Sequence, residues 1–298
     1  LGGTKVEITA LDDAGSELVR RRIPTPAGDY AATLDAIANL VVSVEADLGR
    51  IERVGVGTPG AISPATGLLQ NSNSTVLNGK PLERDLAARL QRPVRIANDA
   101  NCFAISEALD GAGAGCRVVF GVILGTGCGG GIVVAGRPIV GRMRIAGEWG
   151  HNPLPWPRPA EQSGPRCYCG KQGCLETYLS GPALAREFFI ATGRDLTAEA
   201  IAAAADAGEH DASEALERYE DRLARGLSCV VNLLDPDAIV LGGGLSRIER
   251  LYANVPRIMA RYVFSRNVDV TVVRARHGDS SGVRGAARLW SVEDLAGA

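Results

Sequence analysis

One histidine and three cysteines, His151, Cys167, Cys169 and Cys174, fall between Gly147 and Glu176, where the chain reads GEWGHNPLPW, a loop, and then CYCGKQGCLE. Three thiolates and one imidazole satisfy tetrahedral zinc and leave no open coordination position, which describes a structural metal rather than a catalytic one. Gly170 and Gly173 fit that reading, because a chain wrapped closely round a metal needs backbone angles that other residues resist. A disulfide or a set of free thiols is the alternative, and the clustering of Cys with His favours metal. Two carboxylates, Glu148 and Glu176, flank the cluster.

A second kind of chemistry is written in glycines. Gly2-Gly3-Thr4-Lys5 sits at the first bend of the chain, Gly125-Thr126-Gly127 at a bend between two strands, and Gly242-Gly243-Gly244 at the end of a third. Bare backbone lets N–H groups approach an anion, and it lets a base or a ribose lie flat against the chain. None of the three is a Walker A loop, and the GxGxxG match at 125–130 is followed by the β-rich IVVAG where a dinucleotide fold needs a helix. Ordinary tight turns are the bland alternative. Asn98-Asp99-Ala100-Asn101 marks a fourth place: a strand ends and a helix begins there, which is where α/β proteins usually put chemistry. An N-cap needs one polar residue, and three crowd this bend.

The elements that must position these groups follow from periodicity. Apolar residues at Leu34, Ile37, Ala38, Val41, Val44 and Leu48 predict a helix from Asp29, and VGVGTPG predicts a buried strand. Pro81 to Leu90 reads as a short helix, VRIAN as a strand, and Cys102 to Leu109 as a helix. The opening LGGTKVEITALDDAGSELVRRRIPTP and the later VVFGVILGTGCGGGIVVAGRPI share one pattern of glycine bend, strand, turn and strand, which suggests two related α/β domains. Residues 181–213 read as helical, a strong amphipathic helix runs through Leu216, Leu223, Leu227, Val230 and Leu234, and AIVLGGG and DVTVVRA read as strands before a closing helix, RGAARLW. His210 lies in a charged stretch, and His277 reads as structural.

With 298 residues, 46% of them hydrophobic, the chain can fill one large or two ordinary cores. Its 32 basic and 34 acidic side chains give a net charge of −2 without a basic run, so nothing points to nucleic acid or to a membrane surface. Cys102, Cys116, Cys128 and Cys229 are scattered and read as small core residues, an argument for a reducing cytoplasm. The asparagine- and serine-rich loop NSNSTVLNG offers hydrogen bonds without charge, which suits sugar hydroxyls and plain turns alike.

GGTK, TPG, ANDAN, LGTGCGGG, GEWGH, CYCGKQGCLE and LGGGLS occur in the order found in the ROK family of sugar kinases and bacterial repressors, and the chain resembles that family over nearly its whole length. Within it, NSNSTVLNGKPLERDL, GEWGHNPLPW and HGDSSGVRGAA resemble fructokinases of the manno(fructo)kinase type. The resemblance implies two actin-like, ribonuclease H-like α/β domains with ATP and sugar in the cleft between them: 1–99 plus 283–298 as a small N-terminal domain, and 100–282 as a larger one carrying the zinc loop. It implies Asp99 as the general base, with Asn73, Asn98, Glu148, His151 and Glu176 on the sugar. Gly2, Gly3, Thr4, Lys5, Gly125, Thr126 and Gly127 would face the phosphates, and Gly242, Gly243 and Gly244 would lie near adenosine. ATP, magnesium and a structural zinc are the implied cofactors, and sugar and ATP the implied partners. A homodimer is an arrangement the sequence allows.

The expected activity is transfer of the γ-phosphoryl group to the 6-hydroxyl of fructose, with mannose as a further acceptor. Glucose and N-acetylglucosamine are the alternative acceptors, and a sugar-responsive repressor is the alternative of another class. A repressor would need a helix-turn-helix ahead of the GGT bend, where this chain begins. The family usually shows Asp immediately before LGGTK, and the sequence starts at Leu1.

Overall fold

A computed structural model describes residues 1–26, 28–267 and 269–290 and shows an α/β fold in two units. The first unit takes Leu1–Ser106, Pro138–Ala146 and the described chain from Ser280; the second takes Glu107–Arg137 and Gly147–Asp279.

In the first unit β1 (Lys5–Leu11) and β2 (Glu17–Pro24) form an antiparallel hairpin in the register Lys5 to Pro24. Its turn is the expected DDAG: Gly15 N donates to Asp12 O at 2.9 Å and Ser16 N to Asp12 Oδ1 at 2.7 Å. Asp29 accepts from Ala32 N and starts α1 (Tyr30–Leu48), whose buried stripe includes Leu34, Ile37, Leu40, Val41 and Val44. β3 (Val54–Thr58) is followed by a short hairpin of β4 (Ala61–Ile62) and β5 (Leu69–Gln70), then α2 (Leu82–Leu90), β6 (Val94–Asn98) and α3 (Asp99–Leu109). β3 and β6 pair in parallel, Thr58 opposite Asn98, so both strands end at the same level. The core gathers Val6, Leu34, Val41, Val56, Leu69, Leu82, Leu86 and Val94, each worth about 1.5–3 kcal/mol on burial.

The second unit is built on a five-stranded sheet. β7 (Val118–Leu124), β8 (Cys128–Val134) and β9 (Arg137–Pro138) supply one side. After the window from Gly147 to Glu176 that carries the candidate metal cluster come α4 (Glu176–Leu179), α5 (Gly181–Thr192), α6 (Ala198–Asp206) and α7 (His210–Leu234). β10 (Ala238–Gly242), α8 (Arg250–Met259) and β11 (Thr271–Arg274) complete it. Strand order is β11-β10-β7-β8-β9, with β10 parallel to both β7 and β11 and β7 antiparallel to β8. Phe120, Val122, Leu124, Tyr219, Leu223 and Leu227 lie at the heart of its core.

Three expectations are adjusted. The single helical stretch at 181–213 is broken where Gly193 adopts φ 72 to end α5 and Thr197 caps α6. Residues 100–106 and 138–146 group with the first unit, whereas the family resemblance implied 1–99 plus 283–298 for that domain. Packing explains the former: a side chain at Gly285 would collide with Cys102 O, so the closing helix (Ser281–Ala287) lies directly on α3. That helix is centred earlier than RGAARLW, and residues 291–298 of the expected N-terminal domain lie outside the described residues. Among the described residues no helix is long and apolar enough to cross a membrane. Cys102 and Cys128 are buried as expected, while Cys116 and Cys229 are half-buried.

Candidate active site

Asn98 ends β6 and Asp99 opens α3, and the polar residues at this bend have separate tasks. Asn98 is the cap: its Oδ1 accepts from Ala100 N at 2.8 Å and its Nδ2 donates to Gly60 O at 3.2 Å. Both ends of the amide are therefore engaged by the protein. Asn101 is buried, and its Oδ1 meets no hydrogen-bond partner among the described residues. Asp99 keeps its side chain at the surface, where Oδ1 accepts from Ala100 N at 2.9 Å and no other side chain bonds to it among the described residues. Although the residue is exposed, the surrounding protein desolvates the carboxyl and raises its pKa against the opposing backbone bond.

Nearby in the same unit, the Gly3 α-carbon faces Ser74: a side chain there would start 3.8 Å from Ser74 Oγ. The first bend is closed by Gly2 N to Lys5 O at 2.9 Å and by Thr25 Oγ1 to Gly2 O at 2.7 Å. Lys5 Nζ turns to Glu7 at 3.5 Å, and Glu7 also pairs with Arg20 and Arg22. The 71–78 loop is clasped by Asn78, which accepts from Ser72 N and donates to Ser72 O, both at 2.9 Å. Asn73 stands exposed at its tip and makes no side-chain hydrogen bond to the described protein.

In the second unit, Glu148 and a 3-10 turn, Trp149–His151, enter the metal window. Trp149 anchors that turn, donating Nε1 to Gly129 O at 3.0 Å and meeting Phe120 edge to face. The loop closes on itself through Leu154 N to Gly173 O, Gly173 N to Pro165 O and Leu175 N to Asn152 O at 2.9–3.0 Å. Gly170 and Gly173 take φ +88 and +70, the left-handed angles expected of them.

His151 Nδ1 and the sulfurs of Cys167, Cys169 and Cys174 all lie within 4.8 Å of one another. Cys167 Sγ is 3.5 Å from His151 Nδ1, and Cys169 Sγ is 3.6 Å from Cys174 Sγ, too far for a disulfide bond of about 2.05 Å. Zinc at about 2.3 Å from sulfur and 2.0 Å from nitrogen puts tetrahedral ligands about 3.5–3.8 Å apart, so donor set and spacing fit the ion.

The far side of the window is pinned to α7. Glu161 accepts from Arg222 Nε at 2.7 Å and from Arg225 Nη1 and Nη2 at 2.9 and 2.8 Å, all three side chains buried. Desolvation would raise the Glu161 pKa; the bonds from Arg225 and Arg222 outweigh it and hold the carboxyl at about 2. A folded pKa below the ordinary value stabilises the fold fully above the unfolded carboxyl pKa, and the contribution is lost as pH falls from about 4.5 towards 2. Glu161→Ala removes the acceptor shared by two buried guanidiniums, which keep Glu187 and Asp221 as partners, and is expected to cost about 1.5–3 kcal/mol, read as a lowered midpoint in urea at neutral pH.

Glu176 joins the window to the second glycine bend. Its Oε2 accepts from Cys128 N at 3.0 Å, and a side chain at Gly127 would start 2.7 Å from that oxygen. One Glu176 oxygen is thus committed to the β7–β8 bend, a placement that motif spacing alone did not suggest. Gly125 N donates to Gly127 O at 3.0 Å, and among the described residues beyond its chain neighbours no atom lies within 4 Å of where a Gly125 side chain would start. Gly181 N donates to Gly125 O at 2.7 Å, bringing the start of α5 to the same bend. This helix starts where the sequence predicts one, and the run Ser180-Gly181-Pro182 fixes its start as an N-cap followed by proline in the first turn. Gly243 packs on Leu124 O with no room for a side chain, and Gly244 faces Glu199 Oε1 of α6. The second and third bends therefore belong to one surface. His277 is structural: Nε2 pairs with Asp110 Oδ1 at 2.9 Å, and its backbone N donates to buried Glu107. His210 pairs with Glu214 on the surface.

The model of the ROK family matches residues 1–293 of this sequence. The chain belongs to the ROK family. It is 40% identical over 297 residues to an N-acetyl-D-glucosamine kinase of Salmonella gallinarum, covering 97% of each chain. Among solved structures, a ROK hexokinase from Thermus thermophilus is similar at a TM-score of 0.84 and 32% identity, covering 96% of this chain and 94% of that one. A ROK glucokinase from Streptomyces griseus, solved with glucose and AMPPNP, is similar at 0.79 and 29% identity over 97% and 96%. Asp99 and the first glycine bend lie in the first unit, and the His/Cys cluster and the other two glycine bends in the second.

Proposed function

We propose that this ROK sugar kinase transfers the γ-phosphoryl group of ATP to the 6-hydroxyl of N-acetylglucosamine, with Asp99 as the general base. The likeness to N-acetyl-D-glucosamine kinases, 40% identical over 97% of both chains, supports the choice of acceptor and ranks fructose second. The observation that carries the chemistry is the Asp99 carboxylate, set by a capped helix start at the level where β3 and β6 both end. A sugar hydroxyl gains acidity only as its bond to phosphorus forms, and a carboxylate within hydrogen-bond reach then takes the proton.

Glu148 and the uncommitted oxygen of Glu176 accept from sugar hydroxyls, with Asn73 at the tip of its loop as a further contact. Asn98 contributes by fixing Asp99, since its own amide is spent on Gly60 and Ala100. Backbone amides at Gly2 to Thr4 and Gly125 to Gly127 face the phosphates, and Gly242 to Gly244 take the adenosine; Lys5, paired with Glu7, is left out of the set. Bound magnesium would neutralise phosphate charge, and zinc on His151, Cys167, Cys169 and Cys174 would hold the loop that presents Glu148 and Glu176.

A coupled ADP-release assay across N-acetylglucosamine, glucose, mannose and fructose tests the acceptor. The highest kcat/KM is expected for N-acetylglucosamine; a higher value for fructose would return the assignment to that sugar.

A further inference from the structure

Glu199 stands in the first turn of α6, exposed, and makes no hydrogen bond or ion pair among the described residues. Its backbone is nonetheless fixed. Thr197 caps the helix, accepting from Ala200 N at 3.2 Å, and Ala198 and Ile201 are buried. A side chain on Gly181 would start 3.4 Å from Gly125 O and 3.7 Å from the Ala198 β-carbon, so the starts of α5 and α6 pack at the second glycine bend. The third bend joins this group. Gly243 rests on Leu124 O, and Ser246 donates its backbone N and its hydroxyl to Gly243 O at 3.2 and 2.7 Å. Gly244 itself is open: among the described residues beyond its chain neighbours, a side chain there would meet one atom within 4 Å, Glu199 Oε1 at 3.5 Å. All of these groups belong to the second unit.

We propose that Glu199 is a specificity-determining residue for the nucleotide, its carboxylate accepting from the ribose hydroxyls of an ATP that lies over Gly244. The inference rests on the reading of the second bend as the phosphate site and the third as the adenosine site. A carboxylate accepts and cannot donate, so it needs a ligand group that carries hydrogen. The phosphates of ATP share its charge and repel it. Ribose offers two neighbouring hydroxyl donors to the two carboxylate oxygens, and an acid on a ribose hydroxyl is how dinucleotide folds hold the same sugar. Position favours the ribose over the adenine amino group, the other donor in ATP. Glu199 follows Ala198, which packs at the phosphate bend, and faces Gly244 of the adenosine bend; the ribose is the part of ATP that joins phosphate to base. An acid in the first turn also complements the helix dipole, but that role cannot tell one nucleotide from another.

Calorimetric titration of wild type and Glu199→Ala with magnesium ADP, 2′-deoxyADP and 3′-deoxyADP tests this without a sugar present. Wild type is expected to bind ADP about tenfold more tightly than at least one deoxy form, the size of a lost hydrogen bond to a charged group. Glu199→Ala is expected to bind ADP about tenfold more weakly than wild type and all three nucleotides within about twofold of one another. Equal affinities in wild type would overturn the inference. So would a variant that keeps the preference for ADP, whether or not its overall affinity falls, since the carboxylate would then act on the base or on the helix alone. If the preference behaves as expected but wild type phosphorylates no sugar, the kinase reading falls and Glu199 keeps its role. If wild type binds no ADP, the nucleotide site and this inference fall together.

Discussion

Asp99→Asn is expected to lower kcat by about 10²- to 10⁴-fold while leaving the sugar KM within a few fold. The change is nearly isosteric, and the amide oxygen can still accept from Ala100 N, so the start of α3 and the Asn98 cap remain in place. What is lost is the ability to take a proton. The pH profile sharpens the test. Desolvation raises the Asp99 pKa above the ordinary carboxylate value of about 3.9, so wild-type kcat should fall on the acid side with a midpoint above that value. The residual rate of the Asn variant should lack this acid limb, which kcat measured from pH 4 to 8 would reveal; a variant retaining the limb would assign it to another group.

Loss of the proposed zinc is expected to be the second large effect. Cys169 is the exposed member of the cluster, so Cys169→Ala deletes a ligand without opening a core cavity. Elemental analysis is expected to find about one zinc per wild-type chain and none in the variant. The sugar KM should rise by at least tenfold and Tm should fall, since His151, Cys167 and Cys174 no longer share a centre. Nucleotide affinity should change less, because the close contacts of Gly243 with Leu124 O and of Gly181 N with Gly125 O do not pass through the window. The Glu176 bond to Cys128 N is the route by which some loss would reach the phosphate bend. Full sugar affinity in a zinc-free variant would reduce the window to a staple.

The residues that make these predictions differ in how openly the sequence displayed them. The clustering of one His with three Cys singled out four residues that the structure brings within 4.8 Å of one another, although their spacing is not that of the common CxxC finger. Asp29 and the α1 stripe were equally plain, a capping side chain followed by a 3.6-residue repeat. Asp99 could be placed at a strand-to-helix bend, but which of Asn98, Asp99 and Asn101 would cap, face solvent or be buried depends on backbone direction at Gly60 and Ala100. Lys5 looked available for phosphate until the hairpin put Glu7 beside it. Glu176 reaches the Gly127 bend across 48 residues of chain, a contact that no local pattern encodes. The helix Arg250–Met259 escaped notice because Pro256 sits inside it, although Leu251, Val255 and Met259 form its buried stripe. Glu161 with Arg222 and Arg225 was hidden for a similar reason: buried ion pairs are made from residue types that sequence reading assigns to the surface.

Sugar-dependent ADP release by the wild-type chain, measured beside Asp99→Asn with N-acetylglucosamine and magnesium ATP, tests the central claim most directly. The account predicts turnover on the order of 1–100 per second for wild type and a rate at least about a hundredfold lower for the variant. Equal rates for the two proteins, or no release above the sugar-free background, would contradict it.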